Sequence, residues 1–193
     1  MTSTERMYAL YQAVRYVARA PLPGAFVECG VWKGGSAMVA ALTFQELGDP
    51  PRDFYLYDTY EGMVEPTARD ISFRNQAPHR EWSKIRGTDH NLFCANSLAD
   101  ATASLASTGY PADRLHFVQG KVEDTIPGAI PDSIAILRLV HLYPRLVRGG
   151  VLIIDDYGHW RGAREAVDGY FAEQGVVPLL QRIDYTGRLM LKL

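Results

Sequence analysis

The stretch Ala25-Phe-Val-Glu-Cys-Gly-Val-Trp-Lys-Gly-Gly-Ser36 decides the fold of this chain. It reads as a buried apolar strand that ends in an acid, Glu28, and then breaks into glycines that open a helix near Gly34. Glycines have no Cβ atom, so their backbone can approach a ligand closely, and the free N–H groups at a helix start attract a carboxylate or a phosphate. The stretch therefore predicts a nucleotide-type cofactor site at the end of the first strand.

The spacing of these glycines narrows the choice of cofactor. Gly30, Gly34 and Gly35 do not reproduce the Gly-x-Gly-x-x-Gly of dinucleotide sites, and no Gly-Lys-Ser/Thr of a phosphate loop follows. A second acid, Asp58, ends the next strand, Phe54-Tyr-Leu-Tyr-Asp58, where a carboxylate would meet ribose hydroxyls. The combination favours S-adenosylmethionine, with a plain tight turn between strand and helix as the alternative.

Strands and helices alternate along the chain, which predicts an α/β doubly wound sheet with helices on both faces. Residues 177–193 read as two strands around a short turn, so the mostly parallel sheet gains an antiparallel C-terminal strand, as is typical of class I, Rossmann-like methyltransferases. The expected helices are 4–19, 34–48, 91–108 and 161–174, and the expected strands are 25–30, 54–58, 115–120, 134–139 and 151–156.

Length and composition limit the number of domains, the partners and the compartment that we expect. The 193 residues are 47% hydrophobic, enough for one core and a single domain over residues 1–193. A net charge of −2 argues against a nucleic-acid partner, and no apolar run is long enough to cross a bilayer. The first residues lack the features of a signal peptide, and Cys29 and Cys94 lack zinc-site spacing, so we expect a cytoplasmic protein with reduced thiols.

One connection is too short for this fold. A parallel crossover with its helix needs at least about 10 to 12 residues, but only residues 140–148 separate the strand Ile134–Leu139 from the strand that begins at Val151. Either these strands are not parallel neighbours, or residues that belong between Leu139 and Val140 are missing. We favour the second interpretation and expect a gap in the chain at this join.

Two adjacent acids, Asp155 and Asp156, end the strand that begins at Val151. Ligands of open α/β sheets collect at the carboxyl ends of strands, and an all-oxygen ligand set suits Mg²⁺. We therefore expect both acids to bind one Mg²⁺ ion, with His159 as a second base or a partner of the acids. The alternatives are that Asp156 caps the helix beginning near Arg161 while Asp155 holds the loop, and that His159 is a solvated loop residue.

Five ordered motifs resemble the macrocin O-methyltransferase family. They are Phe26-Val-Glu-Cys-Gly-Val-Trp-Lys-Gly-Gly-Ser36, Asp58-Thr-Tyr-Glu-Gly-Met63, Gly120-Lys-Val-Glu-Asp-Thr-Ile-Pro127, Ile134-Ala-Ile-Leu-Arg-Leu139 and Gly150-Val-Leu-Ile-Ile-Asp-Asp-Tyr-Gly-His159. The resemblance implies a class I fold, S-adenosylmethionine as methyl donor, Mg²⁺, and methylation of a sugar hydroxyl on a glycosylated natural product. The family carries an N-terminal extension not found here, so a homo-oligomer stays an open expectation.

The expected site has a cofactor half and an acceptor half. Glu28 would lie near the methionine end of the cofactor and Asp58 at its ribose, while the polar insertion at about 64–91 would act as a lid that recognises the glycoside acceptor, unless it is a solvated surface helix. The expected cofactor-binding residues are Glu28, Gly30, Gly34, Ser36, Asp58, Thr59, Gly62, Met63, Gly120, Lys121 and Val122.

The sequence departs from the family at the short connection. After the strand that matches Ile134–Leu139, the family has an Asp-x-Asp segment whose acids supply a metal ligand and the general base, whereas this chain passes straight to Val140-His-Leu-Tyr-Pro144. If the omission is genuine, the metal site has lost a ligand. If a loop is merely missing, the enzyme is intact.

Three classes of function follow. The first is a metal-dependent O-methyltransferase, the second a nicotinamide-dependent oxidoreductase, and the third a catalytically inactive module that binds S-adenosylmethionine. The missing third glycine weighs against the oxidoreductase, and a genuine loss of Asp-x-Asp would favour the inactive module.

Overall fold

The computed structural model describes residues 2–62, 70–74, 96–138 and 140–193, and within them the chain forms a single seven-stranded sheet with helices on both faces. The strands are β1 Ala25–Cys29, β2 Phe54–Asp58, β3 Leu115–Gln119, β4 Ile134–Arg138, β5 Leu146–Ile154, β6 Gln181–Arg182 and β7 Arg188–Leu191. The helices are α1 Thr4–Arg19, α2 Gly35–Glu46, α3 Leu98–Ala106, α4 Val122–Thr125 and α5 Arg161–Glu173, with 3₁₀ turns at Ala112–Arg114, Ile126–Gly128 and Val140–Arg145.

The strand order is β3-β2-β1-β4-β5-β7-β6. Strands β1 to β5 run parallel, and β7 pairs antiparallel with both β5 and β6. The order reverses between β1 and β4, and such a switch point opens a crevice at the carboxyl ends of the strands. The predicted fold class, a mostly parallel sheet with an antiparallel C-terminal strand, is confirmed.

Helix α1 follows its sequence signals closely. The Ser3 side chain caps it by accepting from the Arg6 N–H at 3.2 Å, and the helix ends just before Pro21. Its apolar stripe, with Leu10 and Val14 buried, packs on the sheet. Local capping and periodicity therefore suffice to place this helix.

Helix α3, by contrast, begins at Leu98 behind the capping Ser97, and the expected residues 91–95 lie outside the described chain.

Strand parity divides the core into two faces. Phe26, Ile136 and Ile153 face the side covered by α1 and α2, whereas Val27 and Leu152 face α5. Side chains alternate along a strand, so the residue two positions after each of Phe26, Ile136 and Ile153 also points toward α1. These are the polar residues Glu28, Arg138 and Asp155.

Strands β4 and β5 are parallel neighbours, paired at Ile136↔Val151, so the interpretation that they are not neighbours is wrong. The chain connects them through the 3₁₀ turn Val140–Arg145, and β5 begins at Leu146, earlier than expected. A register irregularity, with Gly149 at φ +82°, absorbs the extra residues. The expected gap at Leu139 lies outside the described residues and stays a prediction.

The expected lid at about 64–91 lies outside the described residues except for 70–74. In that short segment, Ser72 is fully buried and forms an antiparallel bridge with Trp160. The segment therefore lies against the loop that follows β5. Among the helices of the described ranges, none is both long and apolar enough to span a membrane.

Candidate cofactor site

A cleft of about 300 Å³ lies at the carboxyl ends of β1, β2 and β3. The topology brings these ends together because the three strands are parallel neighbours. The lining of the cleft contains six of the predicted cofactor residues, together with Tyr57 and Glu123, which were not predicted. The predicted residues in the lining are Gly30, Asp58, Thr59, Gly120, Lys121 and Val122.

Asp58 ties together the two loops that border this cleft. Its Oδ2 accepts from the N–H groups of Val31 at 2.7 Å and Trp32 at 2.9 Å, and its Oδ1 accepts from the N–H of Tyr60 at 2.9 Å. Trp32 and Tyr60 both have positive φ, 49° and 56°, which side chains other than glycine rarely adopt. Such strain collects at functional sites when surrounding contacts hold it in place. Oδ2 of Asp58 already accepts two hydrogen bonds, so one acceptor position is left on Oδ1 for a ribose hydroxyl, where the Thr59 hydroxyl lies 3.5 Å away.

The predicted glycines have different roles. Gly30, with φ +84°, lines the cleft, and a Cβ added there would meet no atom within 4 Å. Gly34, with φ +76°, caps α2, but a Cβ there would lie 2.5 Å from Leu105 Cδ2. Gly34 is thus required by its backbone conformation and by packing against α3, which the sequence did not reveal.

The remaining predicted residues of this region hold the loop after β2 or lie beside it. Thr59 Oγ1 donates to the Gly62 carbonyl at 3.1 Å, so both residues shape the loop. Ser36 is buried in the first turn of α2. Met63 lies outside the described residues.

Glu28 is the acid at the switch point, and only 2% of its surface is exposed. Its Oε1 accepts from Arg138, while its Oε2 is buried with no hydrogen-bond partner in the described chain. Burial raises the pKa of Glu28 to about 7, against the opposing effect of Arg138. A buried oxygen without a donor is costly, so a cationic group of a bound ligand fits this position well.

Arg138, at the end of β4, joins Glu28 to the end of β5. Its Nη1 donates to Glu28 Oε1 and its Nη2 donates to Asp155 Oδ2, and its side chain is 9% exposed. The other oxygen of Asp155 lies 3.7 Å from Arg6 Nη1, and Arg6 Nε lies 3.0 Å from Asp184. The result is a row of alternating charges from the C-terminal hairpin to Glu28.

Asp184 anchors the far end of this row. Its Oδ1 accepts from the N–H of Gly187 at 2.6 Å, and its Oδ2 accepts from the Ser3 hydroxyl at 2.7 Å. Burial opposes ionisation of Asp184, but these hydrogen bonds and the charge of Arg6 outweigh it and lower its pKa to about 2. The hairpin turn therefore holds the start of α1 beside the strand ends.

Asp155 and Asp156, the expected magnesium pair, have different surroundings in the structure. The Asp155 side chain is bound to Arg138, whereas the Asp156 side chain is exposed. Asp156 is not the N-cap of α5 either, because that residue is Trp160, whose side chain makes no capping hydrogen bond. Among the described residues, no three His, Cys, Asp or Glu side chains gather as metal ligands.

The surroundings of the Asp155 carboxylate do not fit a divalent ion. A cation at Asp155 would lie beside two guanidinium groups, and like unit charges about 4 Å apart repel by roughly 4 kcal/mol at an effective dielectric constant of about 20. Mg²⁺ also requires near-octahedral oxygen ligands. The magnesium prediction is therefore not supported by this geometry.

His159 lies in the loop after β5, packed between two aromatic rings. Its ring centroid is 4.6 Å from that of Trp160 and 5.8 Å from that of Tyr185. Its carbonyl accepts from the N–H of Phe73 at 3.0 Å, which places the described segment 70–74 of the insertion directly beside it. His159 is therefore held by packing rather than solvated on a free loop.

Comparison with known proteins now identifies the family. The model of the macrocin-O-methyltransferase (TylF) family matches residues 1–192. The chain belongs to this family. It is therefore an O-methyltransferase of mixed α/β fold, as the five motifs indicated.

Relatives of similar sequence are named for the compounds that they methylate. A tetracenomycin 4'-O-methyltransferase of Streptomyces olivaceus, whose named substrate is 8-demethyl-8-(2,3-dimethoxy-alpha-L-rhamnosyl)-tetracenomycin-C, is 32% identical over 97% of this chain and 73% of its own length. Mycinamicin III 3''-O-methyltransferase of Micromonospora griseorubida is 28% identical over 97% of this chain and 76% of its own length. The solved structure of the O-methyltransferase NovP superposes with a TM-score of 0.82 at 26% identity, covering 97% of this chain and 79% of that one.

The alignments with the tetracenomycin and mycinamicin enzymes each run over 199 positions, whereas this chain has 193 residues. Each relative therefore has residues inside the aligned region that have no counterpart here. That these residues include the Asp-x-Asp implied by the family resemblance after Leu139 stays a prediction.

Sequence reasoning missed Arg138, although the residue stands inside one of the quoted motifs. The available signal was a single arginine at the end of an apolar strand, Ile134-Ala-Ile-Leu-Arg138, in a sheet whose other strand ends carry acids. A buried cation among carboxylates is an expected ion partner. Only the strand order shows that its partners are Glu28 and Asp155.

Proposed function

We propose that this protein transfers a methyl group from S-adenosylmethionine to a sugar hydroxyl of a glycosylated natural product. The observation that carries the proposal is the buried Glu28 Oε2, which lacks a partner at the switch point of a methyltransferase sheet. The relatives' names support the acceptor class, because the tetracenomycin enzyme's substrate carries a rhamnosyl group.

Four parts of the chain would hold the cofactor. Glu28 would receive the α-ammonium group, since its unpartnered oxygen lacks a donor. Asp58 would accept from the ribose hydroxyls, and residues 120–122 would border the adenine at the end of β3. Gly30 keeps the floor of the cleft open because it has no side chain.

The protein's own residues position the acceptor and remove its proton. Bound S-adenosylmethionine supplies a methyl group on a sulfonium, a good leaving group for in-line transfer to oxygen. His159 is the candidate base, since an imidazole nitrogen can accept the proton of a hydroxyl and the residue lies beside segment 70–74. The insertion that contains this segment would exclude water and recognise the sugar.

Calorimetry with S-adenosylhomocysteine and with NAD tests the cofactor assignment. We expect S-adenosylhomocysteine to bind with a one-to-one stoichiometry and NAD to give no heat, because the glycines lack the dinucleotide spacing. Binding of NAD alone would instead establish the oxidoreductase. A subsequent assay for methyl transfer to a rhamnosyl-tetracenomycin then tests the acceptor class.

An inactive cofactor-binding module is the second candidate. It is favoured by one observation, namely that residues 140–145 between β4 and β5 contain no acid. The two functions differ in single-turnover methyl transfer with saturating S-adenosylmethionine and glycoside. Transfer that depends on His159 supports the enzyme, and bound cofactor without transfer supports the module.

Cofactor binding should depend on pH through Glu28. With a pKa of about 7 in the free protein, this carboxyl is partly protonated at neutral pH, and a ligand ammonium would favour its ionised form. Binding should therefore release a proton, and affinity for S-adenosylhomocysteine should rise by about tenfold between roughly pH 6 and pH 8. Calorimetry in buffers of different ionisation enthalpy measures this release.

Glu28→Gln is the matched control for that prediction, because it keeps the size of the side chain and cannot titrate. The variant should bind S-adenosylhomocysteine more weakly and with no pH dependence over this range. A wild-type affinity that stays constant from pH 6 to pH 8 would contradict the role of Glu28.

A further inference from the structure

A cation already occupies the space between the acids at the strand ends. Arg138 donates from Nη1 to Glu28 and from Nη2 to Asp155, so one guanidinium bridges the carboxylates of β1 and β5. Strand parity fixes this arrangement, because Glu28 and Arg138 are register partners on neighbouring parallel strands. The guanidinium is planar, permanently charged and matched to carboxylates, and it is 9% exposed.

The remaining oxygen of Asp155, Oδ1, has no hydrogen-bond partner in the described chain but faces a second cation. Arg6 Nη1 lies 3.7 Å from Asp155 Oδ1 and is itself fixed by Asp184, whose Oδ2 is 3.0 Å from Arg6 Nε. Both oxygens of Asp155 therefore face guanidinium groups. The neighbouring Asp156 has an exposed side chain and no ion pair with Arg6 or Arg138, although burial and the charge of Asp155 raise its pKa.

The short connection removes the acids that would compete for this position. The chain enters the 3₁₀ turn Val140–Arg145 directly after β4, and this turn contains no Asp or Glu. A divalent ion at Glu28 and Asp155 would thus have to displace the guanidinium that bridges these two carboxylates. Two carboxylates with water can hold Mg²⁺, so it is the compensation of their charge by Arg138 and Arg6 that disfavours the ion here.

We infer that the Arg138 guanidinium is the resident cation of these strand-end acids, and that this protein binds its cofactor without a divalent metal ion. Arg138 is then a positioning residue, which holds the Glu28 carboxylate near the end of β1, two residues before Gly30 of the cleft lining. The inference rests on the proposed function only for the identity of the cofactor.

Electron paramagnetic resonance of Mn²⁺ tests the inference on the wild-type chain. We expect the spectrum of the free ion to keep its full amplitude as protein is added, with or without S-adenosylhomocysteine. In parallel, calorimetry should give the same affinity for S-adenosylhomocysteine, within about twofold, in millimolar Mg²⁺ and in EDTA.

Stoichiometric loss of the free Mn²⁺ signal would overturn the inference if Asp155→Asn or Asp156→Asn restores it and Asp113→Asn, an exposed acid elsewhere, does not. A tenfold or greater gain in S-adenosylhomocysteine affinity with Mg²⁺ would overturn it as well. Mn²⁺ binding that persists in both strand-end variants lies elsewhere and agrees with the inference. If S-adenosylhomocysteine does not bind, the proposed function fails, but the Mn²⁺ spectrum still decides whether the strand ends hold a metal.

Discussion

Replacing Arg138 with Met should lower the free energy of unfolding by about 3 to 5 kcal/mol, because it leaves buried carboxylates without their cation. Glu28 is 2% exposed and Asp155 is 26% exposed, so water compensates for little of the loss at Glu28. Met has a similar length and no charge, so packing changes less than electrostatics. Urea denaturation followed by circular dichroism measures the difference.

Arg145→Met is the matched control for this experiment. Arg145 lies one element further along the chain, its side chain is 48% exposed, and its ion pair with Asp132 is on the surface. Exposed pairs contribute little, so this variant should unfold at the wild-type denaturant concentration. Adding Glu28→Gln to Arg138→Met should recover part of the lost stability, because one of the two uncompensated charges is removed. Wild-type stability for Arg138→Met alone would mean that the bridge does not form.

Asp58→Ala should weaken the binding of S-adenosylhomocysteine by about 1 to 3 kcal/mol, which is roughly 5- to 150-fold in the dissociation constant. The variant loses the acceptor for the ribose hydroxyls. It also releases the N–H groups of Val31, Trp32 and Tyr60, so the two positive-φ residues lose the contacts that hold them. Calorimetry measures the affinity, and thermal unfolding measures the loosening of the loops.

Two further variants separate these effects. Asp58→Asn keeps one acceptor oxygen and the side-chain size, so its loss of affinity should fall between those of wild type and Asp58→Ala. Asp53→Ala removes an acid near the opposite end of the same strand, where it pairs with His116 at 2.8 Å, and should leave the affinity unchanged. Equal affinity for S-adenosylhomocysteine in Asp58→Ala and wild type would rule out the ribose role.

Much of the fold and part of the site followed from local sequence patterns. The helix over residues 4–19 and the strands β1 and β2 with their acids are each encoded within a few neighbouring residues, and the structure confirms them. The meeting of Asp58 with residues 120–122 also followed, because parallel strands bring their carboxyl ends to one edge. The spacing of apolar residues and the order of strands and helices along the chain are enough for such predictions.

The tertiary structure alone decided how those residues are used. Gly34 was expected to approach the cofactor, but Leu105 of α3 explains the need for glycine, because residues distant in sequence pack together there. Asp155 was expected to bind magnesium with Asp156, but its partner is Arg138 on the neighbouring strand. A sequence shows which charges a strand end carries. Which opposite charge compensates them depends on strand order and side-chain parity across the sheet, and these exist only in the folded chain.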